Sequence, residues 1–228
     1  MGLIKFLGKT TNFLFGKLLF RNHVFISNSL EYLERDRAIE KNYFDYIRLA
    51  TLELASNEIR KKGLPGSVAE LGVYKGKFAK YINRYFPERR LYLFDTFAGF
   101  DKRDIDREKF QNFSQAEQDF SDTSWEAVLS QMPFPGNCIP VKGFFPESAV
   151  HINESFVFVS LDTDLYEPIY QGLLFFYPKL IPGGYIFIHD FNNDAYKGAR
   201  QAVEKFCMEQ KINYLPIPDG GGSAIIMK

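Results

Sequence analysis

The sequence predicts an α/β fold: a doubly wound sheet of seven mostly parallel strands, ending in an antiparallel C-terminal hairpin and preceded by N-terminal helices. Three features predict it. From residue 67 onward, short apolar runs alternate with longer amphipathic segments, as where strands and helices wind about one sheet. Two runs, 155–161 and 185–189, are rich in Phe, Val and Ile without polar alternation, which suits strands covered on both faces. The chain closes on two further runs, 212–217 and 223–227, separated by Pro218-Asp219-Gly220-Gly221-Gly222, a hairpin pattern.

A chain of 228 residues, 46% hydrophobic, has the content of one α/β domain with a terminal extension. We divide it into an N-terminal helical arm and helix over 1–62 and the sheet domain over 63–228. Residues 42–62 read as a helix, with Phe44, Ile47, Leu49, Leu52 and Leu54 among its apolar positions, ended by Gly63, Pro65 and Gly66. Strand 67–71, helix 75–86 and strand 91–95 follow. Residues 97–121 are charged and aromatic without a clear period, and are expected to form a mobile lid or a disordered insert. Thr123 and Glu126 have capping-box spacing before a helix ending near residue 132, and strand 139–142 comes after it. Strand 155–161, a helix ending near residue 180, strand 185–189 and helix 195–210 complete the alternation. In such a sheet a nucleotide-like ligand lies at the carboxyl ends of the first strands, where strand order reverses.

The 28 Lys and Arg balance the 28 Asp and Glu, which removes the electrostatic case for a nucleic-acid partner. Cys138 and Cys207 stand far apart without metal-ligand spacing and read as ordinary thiols. No secretory signal is visible, so the cytoplasm is the expected location. Residues 1–22 interleave Phe6, Phe13, Phe15 and Phe20 with Lys5, Lys9, Lys17 and Arg21, and the first acidic residue is Glu31. The lysines interrupt the apolar run too often for a spanning helix. Leu3, Leu7, Leu14 and Leu18 recur at helical spacing with the basic residues outside that stripe. Three uses stay open: a helix lying on the anionic inner face of a membrane, one packed on its own domain as a lid, or one packed on a second subunit of a homo-oligomer.

The first strand runs into Glu70-Leu71-Gly72-Val73-Tyr74-Lys75-Gly76. Gly72 and Gly76 let the chain turn sharply and leave backbone room for a ligand. The middle glycine of a dinucleotide fingerprint is absent, which disfavours a pyrophosphate cofactor and with it a nicotinamide oxidoreductase. The second strand ends on Asp95, 25 residues after Glu70, where a carboxylate can accept from two ribose hydroxyls. Glu70 can face the ammonium of a methionyl group. S-adenosylmethionine satisfies both carboxylates, with Tyr74 and Thr96 expected beside it in the two turns.

The stretches VAELGVYKGKFAKYI…LYLFDTFAGF, VSLDTDLYEPIYQGLLFFYPKLIPGGYIFIHDF and KGARQAVEKF resemble the macrocin O-methyltransferase family, which includes the mycinamicin and novobiocin sugar O-methyltransferases. The resemblance spans about residues 67–228 and is strongest from Ser160 to Phe206. It implies a Rossmann-like class I fold, S-adenosylmethionine as methyl donor, and an acceptor hydroxyl on a sugar of a glycan or natural product.

The next two strands deliver Asp162, and His189 with Asp190, to one rim of the sheet. Methyl transfer to a hydroxyl needs the oxygen held in line with the methyl and relieved of its proton. The resemblance implies magnesium, held by Asp162 and Asp190 and by an acid where this chain has His189. Imidazole is a poor ligand for a hard cation, so the alternative is His189 as general base, with a pKa near working pH. Asp164-Leu165-Tyr166-Glu167 reads as a capping box with Asp164 as N-cap. Tyr166 either lines the site or packs, Arg200 is either a family position or a solvent-facing charge, and His23 and His151 have no partner in the pattern. The expected function is transfer of a methyl from S-adenosylmethionine to a hydroxyl, carried by Asp162, His189 and Asp190. The alternative is a non-catalytic module that keeps the cofactor fold within a larger assembly.

Overall fold

The computed structural model of the chain describes residues 2–21 and 45–228. The chain divides into two units, Met1–Tyr43 and Phe44–Lys228. In the first, Gly2–Arg21 forms one helix, α1, on which Phe6, Leu7, Phe13, Leu14, Phe15 and Leu18 are exposed. No helix among the described residues is long and apolar enough to cross a membrane.

The second unit holds a seven-stranded sheet with helices. In chain order it contains α2 (Tyr46–Lys61), β1 (Ser67–Leu71), α3 (Lys77–Tyr85), β2 (Leu91–Asp95), α4 (Lys102–Phe110), α5 (Trp125–Leu129), β3 (Cys138–Lys142), β4 (Phe156–Leu161), α6 (Tyr166–Lys179), β5 (Leu180–Ile188), α7 (Lys197–Gln210), β6 (Leu215–Pro216) and β7 (Ala224–Met227). The sheet order is β3-β2-β1-β4-β5-β7-β6. The first five strands run parallel, and β7 pairs antiparallel with both β5 and β6. Every residue of β1 and β4 is buried, as the apolar run over 155–161 predicts for β4, and in β1 the burial takes in Ser67 and Glu70 as well. The core on one side is aromatic: Phe94, Phe145, Phe156 and Phe176 meet with ring centroids 5.1–5.9 Å apart.

Register positions the site. Leu71 lies opposite Phe94 and Leu161, and Leu161 lies opposite Ile188. One residue beyond this row stand Gly72, Asp95, Asp162 and His189, so four widely separated positions share one rim.

The structure revises several expected elements. Residues 97–121 contain α4, capped by Asp101, whose side chain accepts from the Arg103 N–H. Glu108 of this helix is buried and accepts from the Tyr166 N–H at 2.9 Å, so the segment packs onto α6. Ser124, not Thr123, caps α5, and the Thr123 hydroxyl donates to the Tyr74 carbonyl instead. β5 begins at Leu180 and passes through Pro182-Gly183-Gly184 with a register shift against β4. β6 has only two residues, and α7 starts two residues later than expected because Asn193 bonds the Ala195 N–H in a turn. α2 belongs to the sheet unit, so the division expected after residue 62 falls before that helix. His23 and the expected helix start at Asn42 lie outside the described residues.

Candidate active site

At the end of β1 the chain turns through left-handed backbone at Gly72, Tyr74 and Gly76. Gly72 has no room for a side chain: a Cβ there would lie 2.0 Å from the Asp162 carbonyl oxygen. Asp95 braces this turn. Its Oδ2 accepts from the Val73 and Tyr74 N–H groups at 2.6 and 2.8 Å, and its Oδ1 accepts from the Phe97 N–H at 2.7 Å. The Tyr74 hydroxyl donates to Asp122 at 2.6 Å, and Lys75 pairs with the same carboxylate. Thr96, expected beside the cofactor, donates to the Gly99 carbonyl and accepts from the Ala98 N–H, so its hydroxyl serves its own turn.

Glu70 is buried, and its Oε2 has no hydrogen-bond partner among the described residues. Burial and then the charge of Asp162 push this carboxyl well above the usual range, against the opposing charge of Arg48. A bound ammonium at that oxygen would favour the ionised carboxylate and oppose the rise.

The second half of the rim is a cluster of side chains. Asp162 Oδ2 accepts from the Arg48 guanidinium of α2 at 2.9 Å, and Oδ1 lies 3.1 Å from His189 Nδ1. The same Nδ1 lies 2.6 Å from Asp190 Oδ2, and Asp190 Oδ1 accepts from Asn193 Nδ2 at 2.7 Å. Arg48 also donates to Ser160 Oγ at 3.3 Å and lies over the Phe78 ring at 3.8 Å. Asp164 and Asp190 both take left-handed backbone, with φ of 60° and 57°. Such strain at non-glycine residues persists only where the surroundings enforce it, and it gathers at functional sites.

These contacts set the charges. Burial opposes ionisation of Asp162, but His189 and Arg48 outweigh it and hold the carboxyl well below the usual range. Burial also opposes a charged His189, yet Asp162 and then Asp190 raise its pKa to about 10. The expectation of a neutral His189 acting as base therefore gives way: a ring nitrogen between two carboxylates keeps its proton at neutral pH. Asp164 moves the other way. Burial, then the charges of Asp190 and Asp162, push it well above the usual range.

The comparisons with known proteins now bear on this rim. Residues 42–218 match the family model described as macrocin O-methyltransferase (TylF). The chain belongs to the macrocin O-methyltransferase family. Membership makes it a methyltransferase, with S-adenosylmethionine as methyl donor. No curated protein matches the sequence. Among solved structures, the O-methyltransferase NovP is similar at a TM-score of 0.67 and 19% identity, over 79% of each chain. The calicheamicin methyltransferase CalS11 is similar at a TM-score of 0.63 and 19% identity, over 79% of this chain and 78% of that one. CalS11 in its apo form is described as a TDP-rhamnose 3′-O-methyltransferase. An O-methyltransferase from Bacillus cereus, in complex with SAH, is similar at a TM-score of 0.52 and 12% identity, over 78% and 81%. At these identities the likeness establishes the fold.

Sequence reasoning missed two members of this cluster. Arg48 reaches Asp162 across 114 positions of sequence, and the only local signal is an arginine in an otherwise apolar stretch of α2. Asp164 is not the N-cap of α6: that helix is capped at Leu165, without a side-chain bond, and Glu108 accepts its first N–H instead. Tyr166 packs, stacked on Tyr170 and tilted against Phe113. Arg200 donates to Asn192 and lies over Phe191, bracing the turn after Asp190.

Proposed function

We propose that this methyltransferase acts on a hydroxyl of a sugar, carried on a nucleotide, a glycan or a natural product. The observation that supports it best is the shared rim, with Glu70, Gly72 and Asp95 at one end and Asp162, His189 and Asp190 at the other. The sugar acceptor rests on the family and on the described activity of CalS11.

When bound, the cofactor supplies an electrophilic methyl on a sulfonium sulfur. Glu70 would meet its ammonium, Gly72 lets the turn lie close against the Asp162 backbone, and Asp95 would turn its remaining lone pairs to the ribose. Asp162 is the more exposed of the two rim carboxylates, at 24% against 6% for Asp190, so it receives the acceptor hydroxyl. It accepts that hydroxyl's hydrogen bond and aims the oxygen at the methyl carbon. A hydroxyl oxygen giving its lone pair to that methyl would hold its proton only weakly. A weakly basic carboxylate is then a sufficient acceptor, and the proton passes to Asp162. The Asp190–His189 pair holds Asp162 in place. Mass spectrometry of nucleotide sugars and glycans incubated with the purified chain and methyl-labelled cofactor tests the reading. A methyl ether on a sugar oxygen is expected. Methylation confined to nitrogen or sulfur acceptors would overturn it.

The arm helix α1 has a separate role in this reading, contact with an anionic lipid surface. Its exposed Phe and Leu side chains supply the apolar contact, and residues 2–21 contain basic but no acidic residues.

A further inference from the structure

The magnesium implied by the family would have to coordinate Asp162 and Asp190, and the oxygens it needs already have nitrogen partners. Asp162 Oδ2 faces Arg48 at 2.9 Å and Oδ1 faces His189 Nδ1 at 3.1 Å. Asp190 Oδ2 faces the same Nδ1 at 2.6 Å, and Oδ1 faces Asn193 Nδ2 at 2.7 Å. A hard cation binds oxygen at about 2.1 Å and keeps an octahedral shell of oxygens, so it could enter only by expelling these nitrogens. The position where the family places a third acid is the imidazole itself. The donor set does not fit magnesium.

We propose that Arg48 and His189 take the place of the divalent cation, their nitrogens facing the carboxylate oxygens it would bind, so that this methyltransferase centre works without metal. Arg48 suits the part because a guanidinium stays charged at every working pH and presents several donors in a rigid plane. It acts through Asp162 and is a positioning residue.

The surroundings hold both groups in place. Asp45 caps α2 by accepting from the Arg48 N–H at 3.0 Å. The other oxygen of Asp45 accepts from the Gly220 N–H at 2.8 Å, which ties α2 to the turn between β6 and β7. That turn backs the imidazole: a Cβ on Gly221 would lie 2.1 Å from His189 Nε2. One carboxylate thus links the helix that carries Arg48 to the turn that seats His189.

The proposal rests on the methyltransferase reading, and its test is separable from that reading. Manganese is titrated into the chelator-treated full chain in the presence of S-adenosylhomocysteine and followed by water-proton relaxation. The wild type should show no site that Asp162→Asn removes. Binding that persists unchanged in Asp162→Asn lies elsewhere on the chain and agrees with the proposal. Micromolar binding abolished by Asp162→Asn would overturn it. His189→Asp, which supplies the missing oxygen donor, should gain a manganese site about tenfold or more tighter than any binding the wild type shows. A folded His189→Asp variant without that gain would overturn the role given to the imidazole, and the wild-type titration decides the main claim even if the variant does not fold. Calorimetry of S-adenosylhomocysteine on the same sample reports separately on the cofactor reading.

Discussion

Asp95 and Asp162 hold equivalent places, each one residue past the same row of the sheet, yet their carboxylates are used in opposite ways. Asp95 accepts from three backbone N–H groups and holds a turn in shape. Asp162 accepts from side chains brought from another helix and another strand. A site made of backbone is fixed by a few adjacent residues. A site made of side chains depends on every element that contributes one, and its charges can be moved by a single substitution.

The largest consequence falls on Asp162. Asp162→Asn keeps the shape but removes the proton acceptor, and the methyl-transfer rate should fall by about 100- to 10,000-fold. Single-turnover rates measured with saturating cofactor check this. A variant within a few-fold of wild type would move the chemistry off the β4 end.

The same contrast decides what was legible in the sequence. Glu70, Gly72, Gly76 and Asp95 could be read because a glycine turn and the acid ending the next strand lie close in sequence and follow from local rules. Asp162 and Asp190 could be read because a strand–helix–strand unit returns both to one rim. Arg48 could not, since nothing local says that a helix before the first strand reaches the fourth. The helix within residues 97–121 was hidden for another reason. α4 is highly charged, and its buried positions are the carboxylates Asp104 and Glu108, so an apolar period never appears. Asp164 misled because its spacing matches a capping box, while the acceptor for α6 comes from Glu108, outside that stretch. The strand pattern and the hairpin were legible in full outline, with errors at the ends, where turns such as Asp190–Asn193 depend on side-chain bonds.

Asp104 offers a middle-sized effect in the segment that packs onto α6. Burial, followed by the charges of Asp101 and Glu167, raises its pKa to about 7. The protonated side chain suits the fold, so its contribution is present below the ordinary carboxylate value and is lost as pH rises through about 7. Asp104→Asn should melt like wild type near pH 4 and gain on it steadily to pH 8. There the gain should reach about 2 kcal/mol, discounted for residual solvent, or a few degrees in Tm. Equal melting temperatures at pH 8 would show that the ionised carboxylate is accommodated.

Asp164 should matter least. Burial and the charge of Asp190 favour its protonated form, and asparagine reproduces a neutral donor of nearly the same shape. Asp164→Asn should change the transfer rate by less than about threefold, or under 1 kcal/mol. A loss comparable to that of Asp162→Asn would show that this carboxyl must ionise during the reaction.

The division of labour between the two ends is tested most directly by one calorimetric experiment, titration of S-adenosylmethionine into wild type, Asp95→Ala and Asp162→Asn side by side. Asp95→Ala should weaken binding by more than about tenfold, 1.4 kcal/mol or more, because the turn loses its brace and the ribose its acceptor. Asp162→Asn should bind within about threefold of wild type. Unchanged affinity in Asp95→Ala, or an equal loss in Asp162→Asn, would contradict the assignment of cofactor and acceptor to opposite ends of the rim.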